Sequence, residues 1–375
     1  MNTDHSLRAR MTMHNGNRLK IGLFGANCYS GRAVTLVPER WSASWADNLK
    51  LAQMADEAGI DFLLPIARWK AYGTNGTYQE ATLETLTWAT GLLAATKRIT
   101  VFGTVHAPLF HPIAAAKQMV TADHVGSGRF GLNVVVGWNE GEFEMFGVDQ
   151  REHDQRYAFA QEWLDIVKAA WSPEEDYDFK GKYFDLKGIS AKPKPLGGSR
   201  PAIMNAGASP AGRVFAISNC DAFFTNAMGL TPIQQGEIVS AAQADARGFG
   251  RELDVYTVGV ITCRPTQQEA EDYHRYSVVE NADFASVDDI LAAKNLRADQ
   301  MSAEEFLKVR LTQANGMGGL PLVGTPDRVA EILGDLASAG LRGIGVSFVN
   351  YIDELPYFCA EVLPRLEQMG LREAI

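Results

Sequence analysis

The stretch Phe130-Gly131-Leu132-Asn133-Val134-Val135-Val136 is a short apolar run interrupted by one amide. Its length and valine content read as a strand, whose two-residue period puts Leu132, Val134 and Val136 on one face and Gly131, Asn133 and Val135 on the other. Comparable runs recur at Lys20–Gly25, Asp61–Ile66, Ile99–Val105, Ala202–Ala206, Ala222–Asn226, Val255–Thr262 and Ile344–Val349, which makes eight strands. Between them the apolar spacing becomes helical. Trp45, Leu49, Ala52 and Ala55 recur at three- and four-residue intervals on a segment closed by Gly59, a C-terminal cap signal. The same reading gives helices near Leu83–Thr96, Pro112–His124, Gln155–Trp171, Pro210–Asn219, Pro232–Arg247, Pro326–Ala339 and Glu354–Met369. Eight strands, each followed by a helix, predict an α/β fold of the (β/α)8 TIM-barrel type. An open doubly wound sheet usually carries a G-x-G-x-x-G after its first strand, and Gly22-Leu23-Phe24-Gly25-Ala26-Asn27 does not have that spacing.

Barrels of this kind commonly reach 375 residues as one domain, so the whole chain, 1–375, is expected to be a single domain. Residues 1–18 read as a mobile tail or dimer arm, and the polar region 277–320 as a helical insertion. Gly316–Gly324 reads as a hinge, with Gly324-Thr325-Pro326 starting the next helix. Cys28–Ser44 and Arg68–Ala81 follow the first two strands, which predicts loop insertions at the C-terminal face, where barrel active sites are built.

At 46% hydrophobic and 21% charged residues, the composition is that of a globular enzyme. A net charge of −10 without a basic block argues against nucleic acid or an anionic membrane as partner. Four dispersed cysteines form no metal-spaced cluster and read as inert thiols of a cytoplasmic protein. No metal site is expected, and the chain is expected to form a homo-oligomer.

Both faces of a parallel barrel strand are normally apolar, so polar lumen residues need an explanation. Asn133 is either a buried amide bonded to backbone or a donor and acceptor held out to a ligand. The alternation in Ile99–Val105 groups Thr100, Phe102 and Thr104, which brings the Thr104 hydroxyl to the lumen mouth. In Ala206-Gly207-Ala208-Ser209-Pro210, Ser209 is placed as N-cap and Pro210 at the first helical position. Such an end serves as a simple cap or as an anion site. Arg156 and Tyr157 open a helix and would supply a charge and a hydroxyl to a phosphate, or face water and pack. Glu142 and Glu144 follow the Asn133 strand directly. Seven scattered histidines form neither H-E-x-x-H nor a triad with a nucleophile elbow. An enzyme without its own nucleophile or metal takes its chemistry from a cofactor.

The string Ser127-Gly128-Arg129-Phe130-Gly131-Leu132-Asn133-Val134-Val135-Val136-Gly137-Trp138, followed by Glu142-Phe143-Glu144-Met145-Phe146-Gly147, resembles the bacterial-luciferase-like flavin monooxygenase family. Further matches are His111-Pro112 with Ala116-Lys117-Gln118, then Arg156-Tyr157, Phe179-Lys180-Gly181-Lys182-Tyr183-Phe184, Lys192-Pro193-Lys194-Pro195, Ala206-Gly207-Ala208-Ser209 and Gly324-Thr325-Pro326. Within the family the chain is most similar to the branch holding the pyrimidine and dimethyl-sulfone monooxygenases. The resemblance implies a two-component enzyme that receives FMN as FMNH2 from a separate NAD(P)H-dependent reductase. It would use O2 to oxidise or cleave a small organic substrate, pyrimidine-like (a cyclic amide) or sulfone-like. It further implies that Ala67, Arg68, Asn133, Glu142, Arg156, Tyr157 and Ser209 contact FMN and that Thr104 and Asn133 are the catalytic residues lining the oxygen pocket. Trp69, Tyr72 and Trp138 would pack near the substrate. Luciferases proper carry a catalytic histidine after the second strand, where this chain reads Ala67-Arg68-Trp69-Lys70-Ala71-Tyr72-Gly73, which argues against a luciferase reaction. Two alternatives share the barrel: a deazaflavin-dependent dehydrogenase, against which the Asn133 and Arg156-Tyr157 pattern speaks, and a non-catalytic flavin-binding relative, against which Thr104, Asn133 and Ser209 speak.

Overall fold

The computed structural model describes residues 11–72, 77–172, 175–196, 199–207 and 209–374. Its strands are β1 (Lys20–Phe24), β2 (Phe62–Leu64), β3 (Thr100–His106), β4 (Phe130–Val135), β5 (Tyr177–Lys180), β6 (Asp185–Ile189), β7 (Ala202–Asn205), β8 (Ala222–Phe224), β9 (Asp254–Cys263), β10 (Leu320–Gly324) and β11 (Gly343–Ser347). Eight of them close a parallel barrel in the order β9-β11-β1-β2-β3-β4-β7-β8, with β8 returning to β9. These are the eight strands anticipated from the apolar runs.

Alternation sorts the strand residues as the pattern requires. Val101, Val105, Leu132, Val134, Ile203, Ile344 and Val346 belong to the core shared with the surrounding helices. Phe62, Leu64, Phe102, Met204, Phe224 and Tyr256 fill the lumen. The rings of Phe62 and Phe102 meet edge to face at 6.0 Å, and Phe62 meets Tyr256 at 5.9 Å. Glycine makes room for this plug: a Cβ on Gly22 would fall 2.2 Å from the Phe62 ring, and one on Gly131 would fall 2.3 Å from Phe102.

Three sequence expectations need correction. Leu320–Gly324, inside the expected hinge, is β10, paired in parallel with Gly259–Cys263. The ten-residue β9 runs past its pairing with β8, and the ladder groups left open are taken by an edge strand that tolerates Pro321. Tyr177–Lys180 and Asp185–Ile189, not anticipated as strands, form an antiparallel hairpin. Of the expected tail, residues 1–10 lie outside the described residues, but the chain from Met11 is packed across the N-terminal end of the barrel. There Met13 is buried, Thr100 N donates to Thr12 Oγ1 at 3.0 Å, and Asn17 Nδ2 donates to Asp61 Oδ1 at 2.8 Å.

The 277–320 region supplies a turn at Tyr276–Glu280 and helices Phe284–Ala293 and Ala303–Ala314. These pack in one cluster with Val34, Tyr72 and Tyr78 from the loops after β1 and β2, so the three long insertions meet at the C-terminal mouth. No described helix is long and apolar enough to cross a membrane.

Candidate active site

Thr104 and Asn133 are register partners on β3 and β4, both buried at the top of the lumen. Thr104 Oγ1 donates to the Pro65 carbonyl at 2.6 Å, and Asn133 Nδ2 donates to Thr104 Oγ1 at 3.1 Å. A hydroxyl has one proton, and a carbonyl has none to give in return. Thr104 must therefore accept from Asn133, which presents its NH2 to the hydroxyl and turns Oδ1 away. Among the described residues that oxygen is buried without a partner. An unpaired buried acceptor is destabilising by about 1–3 kcal/mol, so this oxygen is open to a donor from outside the chain.

Above this pair the loops after β2 and β4 are joined by a buried ion pair. Arg68 Nη1 lies 2.9 Å from Glu142 Oε1, and both side chains are almost fully buried. The same oxygen accepts from Trp69 N at 2.9 Å and Lys70 N at 3.4 Å, so Glu142 gathers three donors of the β2 loop. Arg68 further donates to Gln79 Oε1 at 3.3 Å and to the Tyr72 hydroxyl. Glu142 Oε2 faces His106 Nε2 at 3.9 Å. His106 is one step beyond Thr104 on the lumen face of β3, in register with Val135. Burial pushes its pKa down to about 4, with Glu142 opposing and Arg68 reinforcing, so the imidazole is neutral at neutral pH. Among the described residues its Nδ1 is buried without a partner. Sequence reasoning passed over His106 because a single histidine in an apolar strand carries no spacing signal.

A second group of residues forms at the end of β7. Ser209 caps helix Pro210–Asn219 by accepting from Gly212 N at 3.1 Å, which leaves its hydroxyl proton free for another acceptor. Asn205 orients the turn: its side chain donates to Val134 O at 2.6 Å and accepts from Gly207 N at 2.7 Å. Gly207 and Gly212 touch backbone to backbone, since a Cβ on Gly207 would lie 2.7 Å from the Gly212 Cα. The Tyr157 hydroxyl covers Gly212, where an added Cβ would meet it at 2.4 Å. Arg156 Nη1 donates to Gly137 O at 2.6 Å, while its Nε is buried with no partner among the described residues. Tyr157 and Ser209 are thus brought to one helix end, with Arg156 on the adjoining turn. Ala208 lies outside the described residues.

The aromatic residues divide. Tyr72 and Trp138 stack at 5.8 Å beside Arg68, which lies 4.3 Å over the Tyr72 ring. Trp69 packs instead against Phe110 at 6.0 Å and Phe146 at 5.1 Å. Ala67 is buried in the turn after β2, where Asn27 pins the neighbouring residue through Ile66 N at 2.8 Å and Ile66 O at 2.8 Å. Among the described residues, no group of three or more His, Cys, Asp or Glu is arranged to hold a metal.

Residues 22–343 match the family model described as luciferase-like monooxygenase. An FMNH2-dependent dimethylsulfone monooxygenase of Pseudomonas fluorescens is 30% identical over 356 residues, covering 94% of this chain and 95% of that protein. A pyrimidine monooxygenase, RutA, of Bradyrhizobium is 25% identical over 366 residues, covering 94% and 99%. Among solved structures, DmoA from Hyphomicrobium sulfonivorans superposes with a TM-score of 0.84 at 19% identity over 94% of this chain and 89% of that one, a likeness of fold.

Proposed function

Because the chain belongs to the luciferase-like monooxygenase family, we propose that it is a two-component FMNH2-dependent monooxygenase acting with O2 on a small organic substrate. The substrate would be a cyclic amide or a sulfone-like compound, and a separate NAD(P)H-dependent reductase would deliver the reduced flavin. The observation that carries this reading is the unpaired Asn133 Oδ1 beside Thr104 at the lumen mouth. It is an acceptor waiting for a donor, and a reduced isoalloxazine offers ring N–H groups.

FMN fits these residues at both ends. The Ser209 helix end, with Tyr157 and the unpaired Nε of Arg156, suits a phosphate dianion. Ala67, Arg68, Glu142 and Asn133 border the mouth where a ring would lie. When bound, reduced FMN supplies two electrons, so that one atom of O2 enters the substrate and the other leaves as water. The protein's part is positioning. Thr104 fixes the orientation of Asn133, and together they line a small polar pocket for oxygen. The Arg68–Glu142 pair holds the β2 and β4 loops over it and excludes water, with Tyr72 and Trp138 as the outer aromatic wall and Trp69 behind them.

The test supplies purified protein with chemically reduced FMN and air and screens cyclic amides, sulfones and sulfonates for products carrying oxygen from labelled O2. Arg156→Ala is expected to weaken FMNH2 binding by about 1.5–3 kcal/mol through loss of a charged hydrogen bond. Equal FMNH2 affinity in mutant and parent removes Arg156 from the site; absence of flavin binding in the parent overturns the function itself.

A further inference from the structure

Buried arginines elsewhere in this chain show how a guanidinium is normally satisfied. Arg68 faces Glu142 at 2.9 Å, and Arg372 faces Asp61 at 2.7 Å. Arg129 does without a carboxylate by donating to four oxygens, Thr96 Oγ1, Ile99 O, Leu93 O and Thr96 O, at 2.8–3.1 Å. Among the described residues Arg32 has neither arrangement. It is only 6% exposed, Nη2 donates to Gly316 O at 2.5 Å, and Nε is buried with no partner among the described residues. The acidic groups that act on its charge are Tyr78, Tyr351, Tyr72 and Cys28, which burial keeps protonated; the Cys28 thiol is pushed up to about 12.

This cation belongs to the mouth of the barrel. Its Cζ lies 4.5 Å from the centroid of Phe24, the last residue of β1 and part of the lumen lining. Its loop is held from the β2 side, because Gln79 Nε2 donates to Gly31 O at 3.0 Å and Tyr78 OH donates to Arg32 O at 3.4 Å. The same Gln79 accepts from Arg68, so the two arginines share one scaffold. With His106 neutral, the buried carboxylates there are both engaged away from Arg32: Glu142 faces Arg68 at 2.9 Å, and Asp283 accepts from Ser286 N at 3.0 Å and Ser286 Oγ at 2.7 Å. Burying an unpaired cation is more destabilising than one carbonyl and one aromatic face can offset.

We infer that Arg32 is the substrate-recognition cation of this site and that the substrate is a small organic anion. Its carboxylate, sulfinate or sulfonate oxygens bind the guanidinium, and its carbon part lies against Phe24. This rests on the flavin monooxygenase reading and departs from it in one respect, putting an anionic small molecule in place of the neutral cyclic amide or sulfone. A competing source of negative charge is the reduced flavin ring itself, and the experiment separates the two.

Dissociation constants are measured by flavin fluorescence quenching and by thermal shift, with and without FMN, for benzoate and methanesulfonate against the neutral benzamide and methanesulfonamide. The parent is expected to bind each anion at least tenfold more tightly than its neutral counterpart. Arg32→Met should abolish that preference and leave FMNH2 affinity within twofold. Arg32→Lys, which retains the charge if the methionine variant does not fold, should keep part of the preference. Equal binding of anions and amides by the parent overturns the inference, as does an Arg32→Met protein that keeps the anion preference but loses FMNH2 affinity tenfold, which would assign Arg32 to the flavin. If the parent binds no FMNH2, the monooxygenase reading fails, while anion preference in the flavin-free protein still decides the role of Arg32.

Discussion

Replacing Thr104 with valine keeps the side-chain volume and removes one oxygen, which serves both as donor to Pro65 O at 2.6 Å and as acceptor from Asn133 Nδ2 at 3.1 Å. Two buried polar groups lose their partner at once. At about 1–3 kcal/mol for each, and with some relief from rotation of the Asn133 amide, the expected loss is about 2–5 kcal/mol of unfolding free energy. Thr104→Ser keeps both hydrogen bonds and deletes a methyl group, for an expected loss of about 1 kcal/mol. Urea unfolding of the two variants beside the parent measures the difference. Rapid mixing of the anaerobic reduced-FMN complexes with oxygenated buffer then reads the consequence, since an Asn133 amide released from Thr104 no longer holds Oδ1 in one direction. The valine variant should react with oxygen at least tenfold more slowly than the serine variant, and Asn133→Leu, which also fills the pocket, more slowly still. Valine and serine variants of equal stability would falsify the hydrogen-bond relay. Equal oxygen rates in all three, with unchanged product yield, would reduce Thr104 and Asn133 to strand residues.

Two further outcomes follow from the mouth of the barrel. Glu142→Gln keeps an acceptor for Trp69 N and Lys70 N but strands the Arg68 charge, so unfolding free energy should fall by about 3–5 kcal/mol, part of it recovered in the double variant with Arg68→Met; a loss under about 1 kcal/mol means the pair does not hold the loops. His106, whose pKa is lowered from 6.5 to about 4, contributes no pH dependence above 6.5, where it is neutral in both states. As pH falls through 6.5 the unfolded chain takes up the proton first, so stability declines until about pH 4, by about 3 kcal/mol in all. His106→Gln should flatten the stability profile across that window, and parallel profiles for parent and variant would refute the assignment.

Periodicity in the sequence alone determined the barrel, because a two-residue alternation and a helical spacing are local properties that survive without knowledge of neighbours. The same alternation turned Thr104 and Asn133 toward the lumen, and Ser209-Pro210 announced a helix start by its own chemistry. What joins these residues was not legible. Arg68 and Glu142 are 74 positions apart, and Arg32 and Gly316 are 284 apart. Only closure of the sheet brings the loops after β1, β2 and β4 and the region before β10 to one rim. Local polarity hid the packed segment from Met11 to Asn17, whose partners are Thr100, which opens β3, and Asp61, just before β2. Glycine and Pro321 likewise disguised β10 as a hinge, since its strand character comes from the free ladder of β9. A side chain's type is written in the sequence, but whether its charge finds a counter-charge is a property of the closed barrel, and it is there that Arg32 is left without one among the described residues.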